Sequence, residues 1–84
     1  MKNQEDKIRT LLYRSCYRGC KETDILLGNY AKKNIRELSD LKLKKYEKLV
    51  LQDDAEIYDW ILRKKPTPEE FYDLIADIRN FNNL

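Results

Sequence analysis

Apolar residues recur along this chain at helical spacing, and no segment sustains the strict alternation of a half-buried strand. Ile8, Leu11, Leu12 and Cys16 fall at i, i+3, i+4 and i+8, which predicts a helix over about Glu5 to Tyr17. Tyr13 and Tyr17, four apart, form a second stripe beside that face. A second helix is expected to begin between Lys21 and Thr23 and to run to about Asn34. Leu26, Leu27, Tyr30 and Ala31 form its buried face, and Ile25 and Ile35 flank it. Gly28 interrupts this pattern, either as a site of close helix approach or as a tolerated residue that costs about 1 kcal/mol relative to alanine. Leu43, Tyr46, Leu49 and Val50 predict a third helix over Asp40 to Leu51, with Ser39 as its N-cap.

Ile57, Tyr58, Trp60, Ile61 and Leu62 predict a fourth helix from Asp54 to about Arg63, in which Asp53 and Glu56 form a capping box. Pro66 stops the helical run. Thr67 as cap, Pro68 at the first helical position and Glu70 as the box partner then predict a fifth helix to about Phe81. Phe71, Leu74, Ile75 and Ile78 point inward from it. Residues 1–4 and 82–84 are expected to fray. The expected fold is therefore all-α: a compact bundle of five short helices in a single domain over residues 1–84.

Composition narrows the class. The 84 residues are 42% hydrophobic and 38% charged, with nine aromatics, which supports one modest core and argues against disorder. The net charge of +2 implies no strong nucleic-acid footprint, although Lys42, Lys44, Lys45, Lys48 and Arg63 to Lys65 are locally basic. The amino terminus lacks an apolar signal region and carries acids, and no run approaches the ~20 apolar residues of a membrane span. A soluble, cytoplasmic chain is the expectation, and the initiating Met1 favours it. Cys16 and Cys20 are too few for a disulfide framework or an all-cysteine zinc site.

Groups for ordinary catalysis are scarce. There is no histidine for acid–base work near neutral pH, no phosphate-binding glycine loop, and no base beside Ser15 or Ser39. Paired acids such as Asp53-Asp54 are explained by helix starts. Attention falls on the junction of the first two helices, Tyr17-Arg18-Gly19-Cys20-Lys21-Glu22-Thr23-Asp24. As punctuation, Gly19 takes a left-handed conformation, Arg18 lies in the last turn of one helix, and Glu22 and Asp24 lie in the first turn of the next. As a recognition corner, the same residues expose Arg18, Gly19 and Glu22 to another macromolecule, with Tyr13 and Tyr17 adding aromatic contact. Two further readings are a small basic helical module that binds nucleic acid through Lys42, Lys44, Lys45, Lys48 and Arg63 to Lys65, and a thiol switch at Cys20.

The motif Arg18-Gly19-Cys20-Lys21-Glu22, extended to Asp24, resembles the R-G-x-x-E signature of the SdhE-type succinate dehydrogenase assembly factors, the flavinylation factors. The resemblance continues through Ile25 to Gly28 and through Asp53-Asp54-Ala55-Glu56-Ile57-Tyr58-Asp59-Trp60-Ile61, and it ends at Pro66. It covers about Lys7 to Phe81. Cys20, where relatives usually carry a larger apolar residue, and Tyr17, where many are basic, depart from the pattern.

The resemblance implies a five-helix assembly factor and not an enzyme. It implies a chain that is a monomer when free and binds no cofactor stably; no membrane insertion is expected. Its partner is then the flavoprotein subunit of succinate dehydrogenase, or of fumarate reductase, and no nucleic acid. Arg18, Gly19 and Glu22, with Asp24, match the motif that contacts this partner near its FAD. A histidine of the partner attacks the isoalloxazine methyl group, so the covalent chemistry belongs to the flavoprotein.

Overall fold

The structure, a computed structural model, describes residues 4–84, with Gln4 described by its backbone alone. The helical spacing of the apolar residues is realised as α1 (Gln4–Cys16), α2 (Lys21–Asn34), α3 (Asp40–Leu49), α4 (Asp54–Ile61) and α5 (Tyr72–Phe81). A single 3-10 turn follows α2 at Ile35–Glu37, and another precedes α5 at Glu69–Phe71. No strand occurs among the described residues. The all-α, five-helix expectation holds. Of the fraying expected over residues 1–4, residues 1–3 lie outside the described residues.

Polar residues ahead of the apolar runs start two of the helices as expected. The Ser39 hydroxyl accepts the Lys42 N–H at 3.2 Å, and the Asp53 carboxylate accepts the Ala55 N–H at 3.1 Å. Two capping expectations are corrected. Glu56 turns its carboxylate to Lys65 at 2.8 Å instead of back to Asp53. Thr67 does not cap α5, because Pro68 stays extended and the chain tightens first, the Phe71 N–H reaching the Pro68 carbonyl at 2.9 Å. That tight turn seats Phe71 against Trp60, with ring centroids 5.7 Å apart.

Helix ends differ from the expectation by two residues in α3 and α4, which stop at Leu49 and Ile61. After α4, Arg63 takes φ 64°. Its N–H reaches Trp60 O at 3.3 Å, and the Lys64 N–H reaches Asp59 O at 2.8 Å, a Schellman closure that satisfies orphan carbonyls. The end of α5 repeats it. Asn83 takes φ 62°, and the Leu84 N–H reaches Arg79 O at 2.8 Å. Asn82 further donates its side-chain amide to Leu26 O at 3.3 Å. Residues 82–84 are therefore tied down, contrary to the fraying expected of them.

The core is shared by all five helices. Leu27, Tyr46, Leu49, Ile57, Ile61, Leu74 and Ile78 are fully enclosed, and Ile8 and Leu11 close it from α1. Helix α1 lies along α2, and α2 also meets α4 and α5. The α1–α2 approach is tight at Gly28, where a β-carbon would stand 3.1 Å from Cys16 Sγ. Gly28 is thus the close-approach glycine that was one of its two readings. Within the core the Ser15 hydroxyl donates to Leu11 O at 2.7 Å and pairs with the Tyr46 hydroxyl at 2.5 Å.

Burial, with Asp77 adding to it, pushes the Tyr30 hydroxyl up to about 12. Burial raises Tyr46 further, against the opposing effect of its hydrogen bond with Ser15. Unfolded tyrosines ionise near pH ~10, so the unfolded chain releases these protons while the folded chain keeps them. The associated stability is complete below that pH and is lost as pH rises through about 12. Tyr30→Phe should therefore leave stability at pH 7 nearly unchanged and flatten its decline at alkaline pH. Urea midpoints measured for both chains from pH 8 to 11.5 test this, and parallel curves would refute it.

Candidate functional site

Helix α1 ends at Cys16, so Arg18 lies beyond it and not in its last turn. The chain turns at Gly19, whose φ of 101° favours glycine, and α2 begins at Lys21. A β-carbon on Gly19 would meet nothing within 4 Å, so the demand for glycine here is conformational and the backbone is open to solvent. Asp24, in the first turn of α2, reaches back and accepts the Arg18 N–H at 2.7 Å. This bond fixes the corner.

The Arg18 side chain turns inward, and only 8% of it is exposed. Its Nε donates to Asp54 Oδ1, the first residue of α4. Its Nη1 donates to Val50 O at 2.7 Å and, more weakly, to Arg14 O at 3.3 Å, while Nη2 donates to Gln52 O at 2.6 Å. One guanidinium therefore caps the carbonyl end of α3, pairs with the acid at the start of α4, and ties both to the end of α1. A planar fork of five N–H donors suits this; a lysine ammonium does not. The expectation that Arg18 is presented outward is corrected on these contacts, since desolvating a cation is tolerated only where acceptors surround it. Asp54 is a second hub. Its carbonyl accepts the hydroxyl of fully buried Thr23 at 3.3 Å.

The other expected site residues face solvent. Gly19 and Glu22 are exposed, as are Tyr13 and Tyr17 at 65% and 70%. The two tyrosine rings pack on each other with centroids 4.9 Å apart. Tyr17 stands on a ridge between two shallow grooves. One is shared with Tyr13, Arg18 and Asp54, the other with Asp24, Ile25 and Gly28. Ile25, read from the sequence as flanking the buried face, is 51% exposed and extends the apolar surface beside Tyr17. The structure thus brings the six expected residues to one corner and divides them. Arg18 and Asp24 build the corner; Gly19, Glu22, Tyr13 and Tyr17 are displayed on it.

Neither rival reading gains from the structure. Lys42 is paired with Asp77 at 2.6 Å, Lys65 with Glu56, and Lys48 faces Glu70 at 3.8 Å, so acids interrupt both basic stretches. Cys20 is half-buried and accepts the Thr23 hydroxyl at 3.4 Å, in a local bond of the turn. Among the described residues, no helix is long and apolar enough to cross a membrane.

The family described as flavinator of succinate dehydrogenase matches residues 9–82. The chain is similar to the mitochondrial succinate dehydrogenase assembly factor 2 of Dictyostelium discoideum, 46% identical over 67 residues, which are 79% of this chain and 48% of that one. It is also similar to the proteins of the same name in Caenorhabditis briggsae, at 42% identity over 71% of this chain and 51% of that one, and in Mycosarcoma maydis, at 38% over 77% and 27%. The chain thus spans about half the length, or less, of these relatives. No solved structure matches it significantly. The relatives are named mitochondrial, which overturns the expectation of a cytoplasmic chain.

The division within the corner is measurable. Arg18→Ala strands a partly buried carboxylate and several carbonyls, and should cost on the order of 2–4 kcal/mol. Arg18→Lys should recover little of this, because an ammonium cannot span the same acceptors. Glu22→Ala should change stability by less than about 1 kcal/mol, the worth of an acid in an exposed first turn. Urea unfolding of the three variants checks this; equal losses for Arg18→Ala and Glu22→Ala would contradict the division.

Proposed function

The chain belongs to the family of flavinators of succinate dehydrogenase, and from that membership we propose that it assists assembly of that enzyme by binding its flavoprotein subunit and promoting covalent attachment of FAD. The observation that carries this reading is the family match over residues 9–82, which takes in the corner and every helix after it. The exposure of Gly19, Glu22, Tyr13 and Tyr17 on one rigid corner supports it.

In this reading the flavoprotein docks on that displayed surface, while Arg18 and Asp24 hold its shape from within. FAD stays with the partner. The residue that becomes linked to the flavin is then a histidine of the flavoprotein, a residue this chain does not contain. The chain acts as a monomer and only so far as it binds the attachment-competent arrangement of its partner more tightly than the others; a tenfold preference is about 1.4 kcal/mol. The mitochondrion is the proposed setting, a reading that the relatives' names support.

The test mixes unassembled, FAD-loaded flavoprotein with wild type, Glu22→Ala or Tyr13→Ala/Tyr17→Ala and reads covalent flavin by in-gel fluorescence. Wild type should speed attachment. Each variant, still folded, should slow it about tenfold, the loss of one strong interface contact. No acceleration by wild type would overturn the function, and folded variants as active as wild type would overturn the surface assignment.

A further inference from the structure

The turn after α4 holds a residue of unexpected type. Arg63 occupies the left-handed position beyond the helix cap, φ 64°, which glycine or asparagine usually fills. The matching turn after α5 has Asn83 there. A side chain without such tolerance is strained in that region. Contacts within the chain do not offset this. The Arg63 side chain is exposed, and among the described residues no carboxylate lies within ion-pairing distance of it.

What surrounds Arg63 is a concentration of positive charge, in which Lys64 lies over the Tyr58 ring at 5.9 Å and, among the described residues, only Lys65 is ion-paired with acids. Arg63 lines an open groove with Lys64, Thr67, Tyr72, Asp73 and Arg79. Arg79 donates to Trp60 O at 2.6 Å and to Ile61 O at 3.1 Å, so its guanidinium caps α4 and meets carbonyls only. Burial, and then the positive charge of Arg63, push Arg79 below its ordinary value. Asp73 is the single acid in the lining. The Thr67 hydroxyl under the same wall is buried without a hydrogen-bond partner. The Tyr72 ring, 60% exposed, borders the groove.

We propose that this α4–α5 groove is a second docking site, distinct from the Gly19 corner, and that it takes an acidic polypeptide segment. Arg63 and Lys64 meet its carboxylates, and Tyr72 covers its apolar stems. The charge is too local for nucleic acid. Asp59 and Glu56 lie just beyond, engaged with Lys65, and the net charge of the chain is only +2. A free anion gains little from an open groove, whereas several carboxylates on one strand engage it together. The inference does not depend on the identity of the flavoprotein partner.

The probe is a pentaglutamate peptide titrated into the labelled chain and followed by amide NMR. Parallel arms at equal ionic strength use inorganic phosphate and a short oligothymidylate. Saturable shifts confined to residues 63–67 and 72–79, with pentaglutamate the tightest of the three, are expected. Arg63→Gly should weaken the peptide about fivefold, the worth of a good exposed ion pair. Its thermal midpoint should equal or exceed that of wild type, because glycine suits the turn. Arg63→Asn should weaken binding similarly. The proposal is overturned if the shifts centre on Lys42 to Lys48, if Arg63→Gly binds the peptide as well as wild type, or if phosphate or the oligonucleotide binds as tightly as the peptide.

Discussion

One guanidinium sets the geometry of this protein. Removing a cation from water is expensive, and it is tolerated only where acceptors replace the hydration shell. Arg18 finds them on three separate pieces of chain: the Arg14 carbonyl at the end of α1, Val50 and Gln52 after α3, and Asp54 opening α4. Each acceptor also has its own reason to want a cation. Carbonyls at the end of a helix are unsatisfied and lie at its negative pole, and the Asp54 carboxylate carries a full charge. The arrangement is mutually required, so the α1–α2 corner and the α3–α4 turn share a fixed relation.

That constraint explains why two stretches far apart in the chain belong together. The R-G-x-x-E segment and the acidic pair before Ile57 and Trp60 meet physically through Arg18 and Asp54, with Thr23 adding a second link to the Asp54 carbonyl. The corner is built from the inside, and its outward side is left free. Glu22 makes only a local contact, its carboxylate accepting from the Cys20 thiol at 3.6 Å, and the Gly19 backbone is open. A surface of this kind tolerates substitution without unfolding, whereas its supports do not.

Much of the fold was legible because the apolar spacing is regular and the caps at Ser39 and Asp53 are local. The failures have a common cause. Glu56 was expected to cap its own helix, yet Lys65 offers it a full charge, so a long-range partner displaced a local one. Thr67 and Pro68 read as a helix start, but seating Phe71 on Trp60 required a tighter turn first. The sequence puts Arg18 at the corner, but its side chain turns inward. Exposure is the usual fate of arginine, and nothing within one segment reveals that Val50, Gln52 and Asp54 will surround it. The helix end at Asn83 carried a readable signal in its tolerance of left-handed backbone.

The Tyr13–Tyr17 pairing has a consequence for the entropy of association. Exposed aromatic side chains normally sample several rotamers, and fixing each on docking costs about 0.5–1.5 kcal/mol. Here the two rings already rest on one another, 4.9 Å apart, Tyr13 in the last turns of α1 and Tyr17 just past its end. Much of that ordering is complete before any contact forms. A surface that docks there meets a stiff plate, and the gain should show mainly as a slower departure, since encounter rates vary little among related complexes.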